Sequence, residues 1–340
     1  MKMISKIHRM PKTITIIGVI VFGCLTLIAY GFSSYIDKIE VGDISNWYST
    51  AKNFYPDIAN LSKFKGKWIF PVVFILLIVL LLLQTFYKQK IFLIRHQSLA
   101  YDLADIDPKF KHNYYLNEHE LQQVGSVQTD KIDNKAIEDI DQMALAAQKS
   151  QKRIAYYGIA YTPFVFRLGY KIGDQNNVIL LHKKRDNSKI FEEWNEENTG
   201  IHINYVEEHN LVDSREIIVA ISTSLNIQDH HFNILHPENK HILKFVTNYM
   251  GFDSIVSYKD AEQLRTIILS TIRNIVIKYN IKRIHMVISS SVAFTFFLAQ
   301  GFSQQHDPEI VVYHYEQGTY TWGINMNQIS ERAYIKTKGA

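Results

Sequence analysis

Hydrophobic positions along this chain fall into three patterns. The first is the unbroken block: residues 13–32 and 68–87 hold no Asp, Glu, Lys or Arg. At about 1.5 Å per residue, each block is long enough to cross about 30 Å of hydrocarbon as a helix. The second is the short apolar run. Within Arg215–Ile227, REIIVAISTSLNI, the run Ile217–Ile221 ends in Ser222, Thr223 and Ser224. Within Arg283–Ser291, RIHMVISSS, a similar run ends in Ser289, Ser290 and Ser291. Such runs read as strands buried on both faces, as in a parallel sheet. Arg153–Ala160, Val178–His182, Ile201–Glu207, Glu309–Tyr315 and Tyr320–Met326 are further expected strands.

The third pattern is helical. In Asp260–Tyr279 the positions Leu264, Ile267, Ile268, Ile272, Ile275 and Val276 form one apolar stripe. Ser257, with Asp260 three residues on, is the expected start of a capping box. Ala136–Lys152 and Val292–Gln300 also predict helices, the latter capped by Ser290 and stopped at Gly301, a natural left-handed position. Tyr161–Tyr170 follows a strand, with Pro163 near a helix start. Strands alternating with helices predict an α/β domain with a largely parallel sheet. The two serine-ending strands lie 67 residues apart (289 − 222). They predict equivalent strands of two related halves, whose serine-rich ends line one cleft.

The two apolar blocks predict a transmembrane hairpin. Lys2, Lys6, Arg9 and Lys12 precede the first, and Lys88, Lys90 and Arg95 follow the second. That bias holds both ends in the cytoplasm. Lys63, Lys65 and Lys67 in the intervening loop oppose it. A signal peptide, or a lipoprotein signal around Cys24, competes for the first block, although no Ala-x-Ala-like site follows. The expected layout is a membrane domain over 1–95, with Lys88–Leu99 continuing the second span. A polar connector over 96–150 and a ligand-sensing domain over 151–340 complete it.

Composition confines the membrane part to a small share. Hydrophobic residues make up 47% of the 340, and mean hydropathy is −0.10, as for a chain living mostly in water. A net charge of +4 is too slight for a duplex partner, so no DNA binding is expected. The single cysteine, Cys24, excludes an intrachain disulfide and a cysteine-based zinc site. The sequence carries no P-loop, G-x-G-x-x-G, G-x-S-x-G or H-E-x-x-H. No catalytic residue, metal or cofactor is expected. His230, His231, His236 and His241 are dense but match no common ligand spacing.

The hydroxyl triplets are the better candidates. A hydroxyl at a strand end that opens a helix stands beside free backbone N–H groups, and that combination holds phosphate. The alternative is that both triplets only cap helices. Tyr156, Tyr157, Phe164, Tyr320 and Trp322 near strand ends either offer faces for bases to stack on or belong to the core. Lys183, Lys184 and Arg185 either neutralise phosphates or face solvent. The expected ligand-binding set is Ser222, Thr223, Ser224, Ser289, Ser290, Ser291, Tyr157, Phe164, Arg185 and Trp322.

Taken in order, Ile154–Tyr170 (IAYYGIAYTPFVFRLGY), the Trp194 region, Glu216–Ile227, Arg283–Ser291 and Val311–Met326 (VVYHYEQGTYTWGINM) resemble the SAVED domain. That domain occurs in effectors of bacterial cyclic-oligonucleotide-based anti-phage signalling. The resemblance covers about Arg153–Asn327. It implies two fused Rossmann-like (CARF-like) halves. They would bind a cyclic oligonucleotide, with a cyclic trinucleotide as the expected ring, made by a partner nucleotidyltransferase. Many relatives carry a nuclease; this chain has two apolar blocks and no visible nuclease motif, and resembles the membrane-spanning branch.

The expectation is a receptor-effector of the bacterial inner membrane with both termini cytoplasmic. Ligand drives homo-oligomerisation, and the hairpins act on the lipid bilayer to cause abortive infection. Neither block holds a charge, so bilayer disruption or a poorly selective pore is expected rather than an ion-selective channel. Two rivals stand beside it: a membrane-tethered enzyme cleaving nucleotides at the serine-rich cleft, and a membrane scaffold without ligand.

Overall fold

In a computed structural model of the protein, the described residues are 89–98, 103–122, 134–174, 178–183, 190–208 and 214–337. The chain divides into two units, 1–88 and 89–340. The expected spans 13–32 and 68–87, and Arg185, lie outside the described residues. Among those described, no helix is long and apolar enough to cross a membrane.

The second unit builds two sheets. The first takes β1 (Gln89–Gln97), β2 (Tyr114–Gln122), β3 (Arg153–Ile159), β4 (Ile179–Lys183) and β5 (Phe191–Glu193), in the order β2-β1-β3-β4-β5. The second takes β6 (Ile203–Glu208), β7 (Glu216–Ser222), β8 (His241–Thr247), β9 (Arg283–Ser289), β10 (Glu309–Glu316), β11 (Thr319–Asn325) and β12 (Tyr334–Lys336). Its order is β12-β11-β10-β9-β7-β8-β6. The helices are α1 (Pro108–Asn113), α2 (Asn134–Lys149), α3 (Thr162–Ile172), α4 (Tyr258–Lys278), α5 (Val292–Gln300) and α6 (Ser330–Ala333).

Residues 89–97 correct one expectation. They are a strand, not the continuation of a membrane helix. Ile91 and Leu93 face one core, Phe92 and Ile94 another, so all four are apolar. A strand buried on both faces gives the same unbroken run as a helix segment, and periodicity alone does not separate the two. Residues 96–150, expected as a connector, supply β2, α1 and α2 to the same unit.

Three cores define the layers. The largest joins the inner faces of both sheets (Ile94, Ile154 and Tyr156 on one; Val219, Met286 and Val312 on the other) through residues of α2, α3, α4 and α5. These four helices therefore lie between the sheets. A second core covers the outer face of the second sheet under Phe232 and Leu235 of the 3-10 segment Asp229–Leu235. A third covers the outer face of the first sheet under Phe110 of α1.

Strand pairing shows an internal repeat, and it is not the one the serines suggested. β1 runs parallel to β2 and β3, β3 is parallel to β4, and β4 is antiparallel to β5. β7 runs parallel to β8 and β9, β9 is parallel to β10, and β10 is antiparallel to β11. The equivalent of β9 is thus β3, and the equivalent of β7 is β1. β7 and β9 are neighbours in one sheet, with Ser222 opposite Ser289. The sequence echo of the true pair lies 130 residues apart: Arg153 and Arg283, Phe164 and Phe294, Phe166 and Phe296 (296 − 166).

In each copy the strand feeds a helix, α3 or α5, and these two pack on each other. Gly169 permits that approach, since a Cβ there would collide with the Phe296 carbonyl oxygen. Gly301 ends α5 in the right-handed region, at φ −79, not the expected left-handed one. A Cβ at Gly301 would strike Leu269 of α4, so the glycine serves packing rather than handedness.

Candidate functional site

Both hydroxyl triplets stand at the carboxyl ends of adjacent parallel strands, and the structure brings all six residues together. Ser222, Thr223 and Ser224 are buried; Ser289, Ser290 and Ser291 are partly exposed. A hydroxyl has one proton and two lone pairs, so what it accepts from inside decides what it offers outside. Ser290 Oγ accepts from Thr223 Oγ1 at 2.8 Å. Ser289 Oγ accepts from the Leu225 N–H at 3.0 Å. Ser291 Oγ accepts from the Phe294 N–H at 3.3 Å and is the cap of α5, in place of the expected Ser290. Each of the three keeps its own proton for an outside acceptor. Ser222 Oγ is turned inward to the Ile227 N–H at 3.0 Å. Ser224 Oγ is buried with no hydrogen-bond partner.

The row of donors stands at the first turn of α5, where backbone N–H groups lack intrahelical partners. The equivalent entry to α3 is built differently. Tyr161 takes the capping position with no side-chain cap bond, and Pro163 in the first turn removes an N–H. The Tyr161 ring lies edge-on to His314 of β10, 4.5 Å between centroids, and to Trp322 of β11 at 6.0 Å. His314 and Trp322 are cross-strand partners, and the register shifts just after His314. Burial holds the His314 imidazole well below its usual range, at about 4, so it is neutral at pH 7. Burial also raises the Tyr161 phenol, helped by nearby Glu316.

The remaining expected residues divide. Phe164 is fully buried in the shared core, 5.7 Å from Trp322. Trp322 lies beside it at the same end of the second sheet. Tyr157 is not brought to this edge: it faces the outer core of the first sheet, packs on Phe191 and donates to Glu118 Oε1 at 2.7 Å. Arg185 is outside the described residues. The four clustered histidines do not converge. His230 and His231 sit on the 3-10 segment, His236 pairs with Glu238, and His241 opens β8 against Tyr279. Ser257 caps α4, but Asp260 binds Thr199 rather than completing a capping box.

Sequence reasoning missed Tyr161 and His314. His314 follows Ile310 and Val312 on the inward side of β10, and a histidine on an alternating apolar face is the signal that was available. Tyr161 occupies the place of Ser291 in the 130-residue repeat (291 − 161).

A sequence profile of the SAVED domain, the SMODS-associated and fused to various effectors sensor domain, matches residues 137–326, more than half of the chain. No curated protein sequence matches. Among solved structures, the Acinetobacter baumannii Cap4 SAVED/CARF-domain receptor with the cyclic trinucleotide 2'3'3'-cAAA is similar at 12% identity and TM-score 0.50, over 73% of this chain and 53% of that one. The same receptor with 3'3'3'-cAAA gives 13% identity and TM-score 0.49, again over 73% and 53%. The chain thus spans about half the length of the structures it matches, and the likeness is one of fold.

Proposed function

This chain belongs to the SAVED family, and we propose that its unit 89–340 is a receptor for a cyclic oligonucleotide, seated at the hydroxyl edge. The observation that carries this reading is the row Ser289, Ser290 and Ser291. Each accepts from inside and keeps a proton for outside, beside the first turn of α5. Ring phosphates offer only acceptors at neutral pH, and a row of donors suits them. The Cap4 receptor of similar fold holds a cyclic trinucleotide, which supports that ring size first. The messenger would come from a partner nucleotidyltransferase.

The reading is of a receptor rather than an enzyme. A serine nucleophile needs a base within hydrogen-bond reach. Among the described residues, the bonds made by the six hydroxyls go to backbone groups or to one another.

Residues 13–32 and 68–87 serve as the two spans, holding the protein in the inner membrane. Ligand favours assembly only by binding the assembled state more tightly. The surface we assign to contact between copies is Leu225, Tyr249 and Met250, 58%, 65% and 40% exposed. It is tied to the site because the Gly251 N–H and Ser254 Oγ both donate to the Thr223 carbonyl, each at 3.0 Å. Assembly gathers hairpins, the bilayer loses integrity, and infection aborts with the host cell.

The test is thermal unfolding of the full chain in detergent with cyclic di-, tri- and tetranucleotides. Ligand at about 100 times its dissociation constant should add about 2.7 kcal/mol. A shift with one ring size, reduced in Ser290→Ala, is the expected result; no shift with any ring defeats the reading.

A further inference from the structure

We propose that the Tyr161–His314–Trp322 corner is a nucleobase seat, occupied by the Tyr161 ring until ligand arrives, in which Trp322 Nε1–H and His314 Nδ1 take the polar edge of a base. The inference rests on the receptor reading above. Trp322 is 4% exposed, yet its Nε1–H, a group that can only donate, has no acceptor. His314 Nδ1 is likewise buried without a partner. Buried polar groups are rarely left unpaired. Here two of them stand on one cross-strand pair, ring centroids 4.9 Å apart. The Tyr161 ring packs edge-on against both rings, and neither nitrogen has a hydrogen-bond partner.

A nucleobase has the missing properties. It is a flat ring of similar girth, and its edge sets a donor beside an acceptor. The acceptor takes the indole N–H; the donor meets the imidazole nitrogen. A phosphate would supply acceptors alone and would favour a charged imidazole, whereas burial keeps this one neutral. The local backbone agrees. The serine entry to α5 presents hydroxyl donors, while the equivalent entry to α3 has a tyrosine and a proline that removes an N–H. One half would hold phosphate and the other a base. The Tyr161 side chain makes no cap bond, so ring contacts with Phe164, His314 and Trp322 are what a base would have to replace.

The experiment titrates 3'3'3'-cyclic triadenylate into the full-length protein in detergent, with wild type, Trp322→Phe, His314→Phe, Tyr161→Ala and Ser290→Ala compared by calorimetry. Trp322→Phe removes the indole N–H together with part of the ring system, and His314→Phe exchanges the imidazole for a larger apolar ring, so each keeps an aromatic ring while taking away the polar atoms. Each should weaken binding about tenfold or more. Tyr161→Ala, which empties the seat in advance, should bind at least as tightly as wild type. Wild-type affinity in both phenylalanine variants, with Ser290→Ala still weakened, would overturn the base seat and leave the receptor reading standing. So would a large loss in Tyr161→Ala. If wild type binds neither this ring nor any other in the panel, the receptor reading fails and this inference fails with it.

Discussion

Arg167 shows how much one side chain holds at the residue scale. It is fully buried, and its guanidinium grips both oxygens of Asp141 at 2.8 and 2.6 Å and the carbonyls of Asn325 and Gln328. It joins α2 and α3 to the end of β11. Arg167→Met leaves those acceptors without their donor; Asp141 is partly exposed and can be rehydrated, so the cost is that of unsatisfied buried acceptors, about 1 to 3 kcal/mol. A fall of that size in urea stability, with ligand contacts untouched, is expected.

His314 gives a pH signature. An unfolded histidine titrates near 6.5, and the folded one at about 4. Below pH 6.5 the unfolded chain takes up a proton that the folded chain refuses, so stability is full above that value and falls as pH drops towards 4. At about 1.4 kcal/mol per unit the loss is about 3 kcal/mol. Unfolding free energies from urea titrations at pH 7 and pH 4 should converge by that amount in His314→Phe relative to wild type. The serine triplets were legible because polar residues ending an apolar run stand out. His314 left only the faint mark of a histidine on an alternating apolar face, and Tyr161 left none, because the place they share joins two elements distant in sequence.

At the scale of elements, β3, β7, β9, α4 and α5 were readable from their patterns to within one or two residues. β1 was not, because burial on both faces erases the alternation that marks a strand. β2, exposed on one side at the sheet edge, carries too mixed a pattern to stand out. The consequence is practical. A fragment starting at Ser150 lacks β1, which pairs with β3 along seven register positions. It exposes the edge of β3 and uncovers Ile154 and Tyr156. Such a fragment should aggregate, while one starting at Gln89 should show a single cooperative urea transition. Circular dichroism and gel filtration of the two decide it.

At the scale of the whole molecule, the proposed coupling of sensing to membrane damage separates into two steps that mutations should split. Tyr249→Asp should leave cyclic trinucleotide affinity within about twofold of wild type and abolish the ligand-dependent increase in mass seen by light scattering. In vesicles loaded with dye, wild type plus ligand should release dyes of differing charge alike, and Tyr249→Asp should release none. Binding that survives with leakage intact would remove the assembly role assigned to that loop.

The 130-residue repeat has a consequence for how such a sensor changes over generations. Were the two copies separate and identical chains, every substitution would strike both seats at once, and a symmetric site would be forced on a ring whatever its composition. Fused in one polypeptide, the copies have already drifted apart, serine in one where tyrosine stands in the other. Each can be retuned while its twin stays fixed. On the proposed reading, a lineage can therefore shift from one ring ligand to a neighbouring one by single steps, leaving one half unchanged at each step.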